Sequence, residues 1–140
     1  MRHLFIAFIA LVLLSCQDLE IVKYEYHTTT MMGRTVLSVT EDSVTVAFNG
    51  RGEPTYYGRE VKESEWEAVN SSMKDVDLSK VSSLEAPSDK RATDASPHAK
   101  FVFVGQDSSI TTASFDAKNP HEMLMPLMQE IIKIQEENKK

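Results

Sequence analysis

The chain has 140 residues, with 15 Lys and Arg against 21 Asp and Glu and a formal net charge of −6 at neutral pH. That balance leaves no basic footprint for nucleic acid and disfavours adsorption of the domain onto an anionic bilayer. The acids are scattered as on a solvated surface, and a single cysteine, Cys16, excludes an internal disulfide framework.

The first sixteen residues carry the strongest motif. Arg2 supplies a positive start, Leu4 to Leu14 is uninterrupted apolar chain, and Ser15 is a small residue before Cys16. This is the layout of a secretory signal. The apolar run is too short to cross a hydrocarbon core that needs roughly 20 residues. Gln17, Asp18 and Glu20 follow it, so there is no stop-transfer segment. Leu13-Leu14-Ser15-Cys16 resembles the lipobox of bacterial lipoproteins. The resemblance implies cleavage before Cys16 and lipidation of Cys16, which would remove a free thiol from an oxidising compartment. Several acyl chains, each buried methylene contributing about 0.8 kcal/mol, would hold the protein at the membrane without a spanning helix. Asp18 and Glu20 weakly resemble surface-export signals of some Gram-negative lipoproteins, so the expected location is the outer membrane, facing the periplasm or the surface. The expected organisation is a signal peptide over 1–15 and one globular domain over 16–140. Removing the leader takes Arg2 and no acid, which leaves the mature chain near −7. About 125 residues suffice for a core without disulfides.

Leu19 to Thr30 reads as a first strand, with Ile21, Lys23 and Glu25 alternating against Val22, Tyr24 and Tyr26. Gly33-Arg34 breaks the run. Thr35–Thr40 and Ser43–Phe48 form a hairpin across Glu41-Asp42. Val44, Val46 and Phe48 share one face and are assigned to the core. Asn49-Gly50-Arg51-Gly52 is a loop tolerant of positive φ, and Thr55–Arg59 is a fourth strand. A helix opens at Ser64, with Ser64 and Glu67 at capping-box spacing and Trp66, Val69 and Met73 on one face, and ends by Lys74. Leu78, Val81 and Leu84 recur every third residue, as in a short helical piece against the core. Ala86 to Pro97, rich in Pro, Ser and Asp, reads as a long surface loop.

Ala99–Gly105 is strongly strand-like. Gln106-Asp107-Ser108 turns it back onto a partner strand, Ser109–Asp116. Asn119 and Pro120 mark a further helical start. Pro126 inside a helix would cost about 3 kcal/mol, so Pro120–Met125 is expected to be a turn, with the long helix beginning near Pro126. Leu124, Leu127, Met128, Ile131, Ile132 and Ile134 form its apolar face. Met123, Met125 and Met128 adjoin that face and are assigned to the core rather than to a partner surface. Gln135 to Lys140 is polar and is expected to fray. The expected fold is α+β: four strands, a helix, a two-stranded hairpin and a final helix. Consecutive strands pair as neighbours in an antiparallel sheet of about six, with both helices on one face.

No catalytic template is complete. His27, His98 and His121 lack metal-ligand spacing, so no metal or other cofactor is expected. Asp94, Ser96 and His98 have the residue types of a serine hydrolase but no nucleophile elbow; turn-forming residues and a solvated histidine account for them better. Glu63, Glu65 and Glu67 suit a helix first turn rather than paired-acid chemistry. Arg51 and Arg59 could contact an anionic partner. Tyr24 with Tyr26, and Tyr56 with Tyr57, read as pairs whose members point to opposite faces, so Tyr26 and Tyr56 are the candidate binding aromatics beside Thr28–Thr30. The leading expectation is a non-enzymatic, lipid-anchored binding or interaction module in the cell envelope, with an envelope protein or a glycan as partner. The alternatives are a small hydrolase using the Asp94–His98 loop and an inhibitor presenting the 86–97 loop to an enzyme.

Overall fold

The computed structural model describes residues 19–139, so the expected signal peptide, lipobox and Cys16 lie outside the described residues. Strand β1 (Lys23–Thr30), β2 (Gly33–Thr40), β3 (Ser43–Gly50) and β4 (Thr55–Glu60) form an antiparallel meander, followed by helix α1 (Glu63–Ser72). After the long excursion come β5 (His98–Val104), β6 (Ser109–Thr111), β7 (Phe115–Asp116) and helix α2 (Met125–Glu137). The α+β expectation holds, with one correction to the sheet, its strand order. Among the described residues there are seven strands, close to the expected six or so, and they stand in the order β4-β3-β2-β1-β5-β6, with β7 beside β5. The late strand β5 returns to the free edge of β1, which makes β1 central.

The extra strand has a local cause. Val102 faces Thr111 across β5 and β6, whereas Ala99 faces Phe115 across β5 and β7. The register slips by one residue, so 112–114 contain an insertion of the bulge kind. Thr112 sits at the slip. Its backbone N–H donates to Phe101 O at 3.0 Å, and its Oγ1 accepts from Phe101 N–H at 3.1 Å. A side-chain oxygen thus stands in for the ladder carbonyl, and the expected single strand Ser109–Asp116 is divided.

The first break also moves. The turn is Met31-Met32, and Gly33-Arg34 begin β2 instead of interrupting the chain. Gly33 faces Gly50 across β2 and β3 with φ of 147°. A Cβ at Gly33 would lie 2.6 Å from both Asn49 O and the Gly50 Cα, so the two backbones approach as closely as they do because neither carries a side chain.

Period-two alternation gives the sheet two faces. On one, Phe103, Tyr24, Val39, Val44 and Arg59 stand side by side across β5-β1-β2-β3-β4, and Phe101, Tyr26, Leu37, Val46 and Tyr57 form the next row. Tyr24 and Tyr26, two residues apart, therefore share this face and are both 2% exposed. The opposite-face reading fails for them and holds for Tyr56 and Tyr57, which are adjacent in sequence. Both helices lie over this face. Val69 and Met73 of α1 and Leu127, Met128, Ile131 and Ile134 of α2 join the core cluster, with Trp66, Met125 and Ile132 partly buried against it. The rings of Tyr24 and Trp66 meet edge-on with centroids 5.7 Å apart, an arrangement favoured by their quadrupoles. Full burial of each large apolar side chain contributes about 1.5–3 kcal/mol.

The helix starts differ from the expected caps. Lys62, not Ser64, precedes α1, and Glu65 reaches back to accept the Lys62 N–H at 2.9 Å. Before α2, a 3₁₀ turn over Glu122–Leu124 is capped by His121, whose Nδ1 accepts from Met123 N–H. Asn119 does not cap. Its Nδ2 donates to Ser88 Oγ. Pro126 falls in the first turn of α2, where its missing N–H costs nothing. A 3₁₀ turn at Val81–Ser83 buries Val81 as its spacing predicted. Helix α2 runs to Glu137, into the segment expected to fray.

The 86–97 excursion is pinned rather than free. Asp116 is 2% exposed and accepts hydrogen bonds from Ser88 Oγ, Lys90 N–H, Arg91 N–H and Arg91 Nη1. Burial works against its charge, but these donors outweigh it and hold the carboxyl well below the usual carboxylate range.

Candidate functional site

The sheet row that begins with Phe101 changes along its length. Phe101, Tyr26 and Leu37 are at most 2% exposed, Val46 is partly buried, and Tyr57 on the edge strand is 50% exposed. The row runs out from under α2 toward open solvent. The last residues of α2 and the turn after it, Gln135, Asn138 and Lys139, form the opposite wall, and Thr28, Pro97, Ala117 and Lys118 close one end. The result is a cleft of about 470 Å³, within the range of small-molecule sites.

Three features distinguish its chemistry. Its base is the apolar row Leu37, Val46 and Tyr57. Among the described residues no Asp or Glu lines it, whereas Lys118 and Lys139 do. The third feature is the side-chain amide of Asn138. Its Oδ1 accepts from Arg59 Nε, which fixes the orientation of the group, and its Nδ2 is buried without a hydrogen-bond partner among the described residues. A buried donor left unpaired costs about 1–3 kcal/mol. Tyr26 also lines the cleft, and its hydroxyl accepts the Lys118 N–H at 3.0 Å. That bond is made at a residue with φ of 65°, uncommon for a lysine. Burial raises the Tyr26 hydroxyl above its ordinary pKa, and the Lys118 N–H partly offsets this.

Two other clefts lie at the opposite end of β1, one of about 470 Å³ against Trp66 and Met73 and one of about 920 Å³ by Asp107 and Ile110. Both are walled by Leu19, Glu20, Lys74, Val76 and Leu78, mix charges of both signs and, among the described residues, contain no unpartnered buried side-chain nitrogen or oxygen. Size alone would favour the larger. The orphaned donor and the one-sided charge favour the cleft at Tyr57.

The candidates read from the sequence scatter. Asp94 is exposed with φ of 56°, Ser96 Oγ donates to Pro97 O, and His98 is exposed at the start of β5. No hydrogen bond links the three among the described residues. Arg59 is consumed structurally. It donates to Glu65 from both terminal nitrogens, at 2.8 and 2.7 Å, and to Asn138, tying β4 to both helices. The hydrogen bonds from Arg59 hold Glu65 below the usual carboxylate range, against some burial. Arg51 is exposed, and its backbone N–H donates to Met32 O beneath the exposed Met31-Met32 turn. Tyr56, 73% exposed, points to the uncovered face. Of the two candidate aromatics, Tyr26 and Tyr56, Tyr26 reaches the cleft. Its partner there is Tyr57, one residue from the expected Tyr56.

The uncovered face carries one further polar group. His27 Nε2 lies 2.8 Å from Glu25 Oε2, and Lys23 Nζ lies 2.8 Å from Glu25 Oε1. Partial burial would raise the Glu25 pKa, but the hydrogen bonds from Lys23 and His27 prevail and hold it low. His27 Nδ1 is buried without a partner among the described residues, but no described cavity opens beside it. Among the described residues no group of three His, Cys, Asp or Glu is placed to hold a metal ion, and no helix is long and apolar enough to cross a membrane. In comparisons with known proteins the chain matches no family model and no curated protein.

Proposed function

We propose that the chain is a lipid-anchored cell-envelope protein, tethered through Cys16 at the outer membrane, that acts as a non-enzymatic binding module for a small apolar molecule. The observation that carries the binding half is the cleft whose base is Leu37, Val46 and Tyr57. Apolar surface left open beside a closed core costs free energy that a ligand recovers. The lining argues for a small molecule ahead of the glycan or envelope protein expected from the sequence, because a glycan would bring hydroxyls to a base without partners for them. The anchoring half rests on the lipobox resemblance alone.

Native mass spectrometry of the full-length protein recovered from membranes tests both halves. The expected species carries acyl mass on Cys16 together with a co-purified small molecule. Thr28→Trp, which fills one end of the cleft, is expected to remove the ligand and keep the acylation. An unmodified Cys16 thiol overturns the anchor. Ligand retained at equal occupancy in Thr28→Trp overturns the cleft, as does the absence of ligand from both proteins.

A further inference from the structure

We infer that the cleft between the Leu37–Tyr57 row and the end of α2 is built for an amphipathic acid, an apolar chain or ring ending in a carboxylate. The inference rests on the reading of that cleft as the binding site. The volume of about 470 Å³ has room for roughly 15 non-hydrogen atoms at about 30 Å³ each. Acids outnumber bases in the chain as a whole, 21 to 15, yet among the described residues this lining holds two lysines and no Asp or Glu. Neither Lys118 nor Lys139 forms an ion pair among the described residues. The acids that approach from neighbouring elements are engaged: Glu65 by Arg59, and Glu137 by Lys62.

The Asn138 amide supplies the second, independent sign. Arg59 occupies its oxygen, so the group has only N–H left to offer, and this donor, on a residue that lines the cleft, is buried without an acceptor among the described residues. A carboxylate is an acceptor-only group with several lone pairs. It would pair with the ammonium groups, and with the Asn138 N–H once a small shift of that side chain uncovers it, and charge-assisted bonds of this kind are the strong ones. A cation would meet two like charges. A neutral alcohol would leave the lysines unmatched. A sugar would leave Leu37, Val46 and Tyr57 against hydroxyls.

The test is calorimetric titration of the full-length protein in lipid nanodiscs, blanked against empty nanodiscs, with decanoate and with decanol as probes. Decanoate is expected to bind at least tenfold more tightly than decanol, the signature of a matched charge. Raising NaCl from 50 to 500 mM should weaken decanoate and leave decanol unchanged. The double variant Lys118→Gln/Lys139→Gln alters only exposed side chains and should weaken decanoate about fivefold, with decanol unmoved. If decanol binds as well as decanoate, or the double variant and salt have no effect, the acid inference fails while the cleft remains a binding site. If neither probe gives heat, or both bind Thr28→Trp as they bind the unaltered protein, the cleft reading fails as well.

Discussion

The two faces of the sheet are made by the same five strands, yet they use their side chains in opposite ways. The covered face stacks Phe103, Phe101, Tyr24, Tyr26, Leu37, Val39 and Val44 under two helices, nearly all inaccessible. The uncovered face alternates apolar and polar groups: Lys100, His27, Val36, Ala47 and Tyr56 in one row, and Val102, Glu25, Ser38 and Thr45 in the next. Most are half-buried by each other rather than by another layer. An antiparallel sheet tolerates this because one face can remain in water. The comparison separates two sources of stability, close packing on one side and short-range polar pairing on the other. The candidate site lies on the covered side, where its layer ends.

The largest expected difference is between neighbours on β5. Phe101→Ala should cost about 3–5 kcal/mol in a urea melt, as for other large-to-small core changes. Val102→Ala, one residue along and facing outward, should cost about 1 kcal/mol or less. Equal losses would mean that the outer face is covered in solution. Next come the charged pairs. Arg59→Ala should cost about 2 kcal/mol, because it removes hydrogen bonds to a charged partner at the junction of β4 with both helices. Lys23→Ala, which breaks the outer pair with Glu25, should cost less than about 1 kcal/mol.

The pH dependence should divide between the faces. Glu25 is held below its usual value of 4.5 by its outer-face donors. Its contribution is complete above that value and is lost as the pH falls through the lowered one, because the unfolded chain then takes up the proton more readily. Tyr24, under the helices, is raised by burial from 10.0 to about 12. Its contribution is complete below pH 10 and declines as the pH rises toward 12, where only the unfolded chain ionises freely. Glu25→Gln should flatten part of the acid limb of a stability–pH curve, and Tyr24→Phe part of the alkaline limb. An acid limb unchanged by Glu25→Gln would show that the outer pairing contributes nothing. The smallest expected effect is at the edge, where Tyr56→Ser should change stability by no more than about 0.5 kcal/mol.

Much of this division is legible in the sequence. The alternation of Val44, Val46 and Phe48 assigns one side of β3, and the spacing of Leu124 to Ile134 gives the buried stripe of α2. Pro126 marks that helix's start because a proline is tolerated only near it. The pairing of β5 with β1 is not legible, since neither the 86–97 composition nor the strand pattern says which edge a returning strand will take. The slip at Thr112 depends on one hydroxyl replacing a carbonyl, which a propensity cannot register. The cleft is not legible for a related reason. Tyr26 has an aromatic signal, but Leu37 and Val46 look like ordinary core. What leaves Val46 and Tyr57 partly open beside the buried Leu37 is where α2 stops above the sheet, a distance that no local pattern encodes. The choice of Tyr56 over Tyr57 turned on strand parity, and the Asn138 donor has significance only once Arg59 is seen to occupy its oxygen.

The placement of β5 has a consequence for how the molecule is made. During synthesis β1 can pair with β2 at once, but its other flank must wait for residue 98 and beyond to emerge. Until then the nascent meander carries an unsatisfied central strand, Lys23–Thr30, whose aromatic and threonine-rich sequence invites pairing with another copy. A ribosome stalled, or a chain clipped, within the 73–97 excursion would therefore release a species prone to self-association, although every residue of the first four strands is intact.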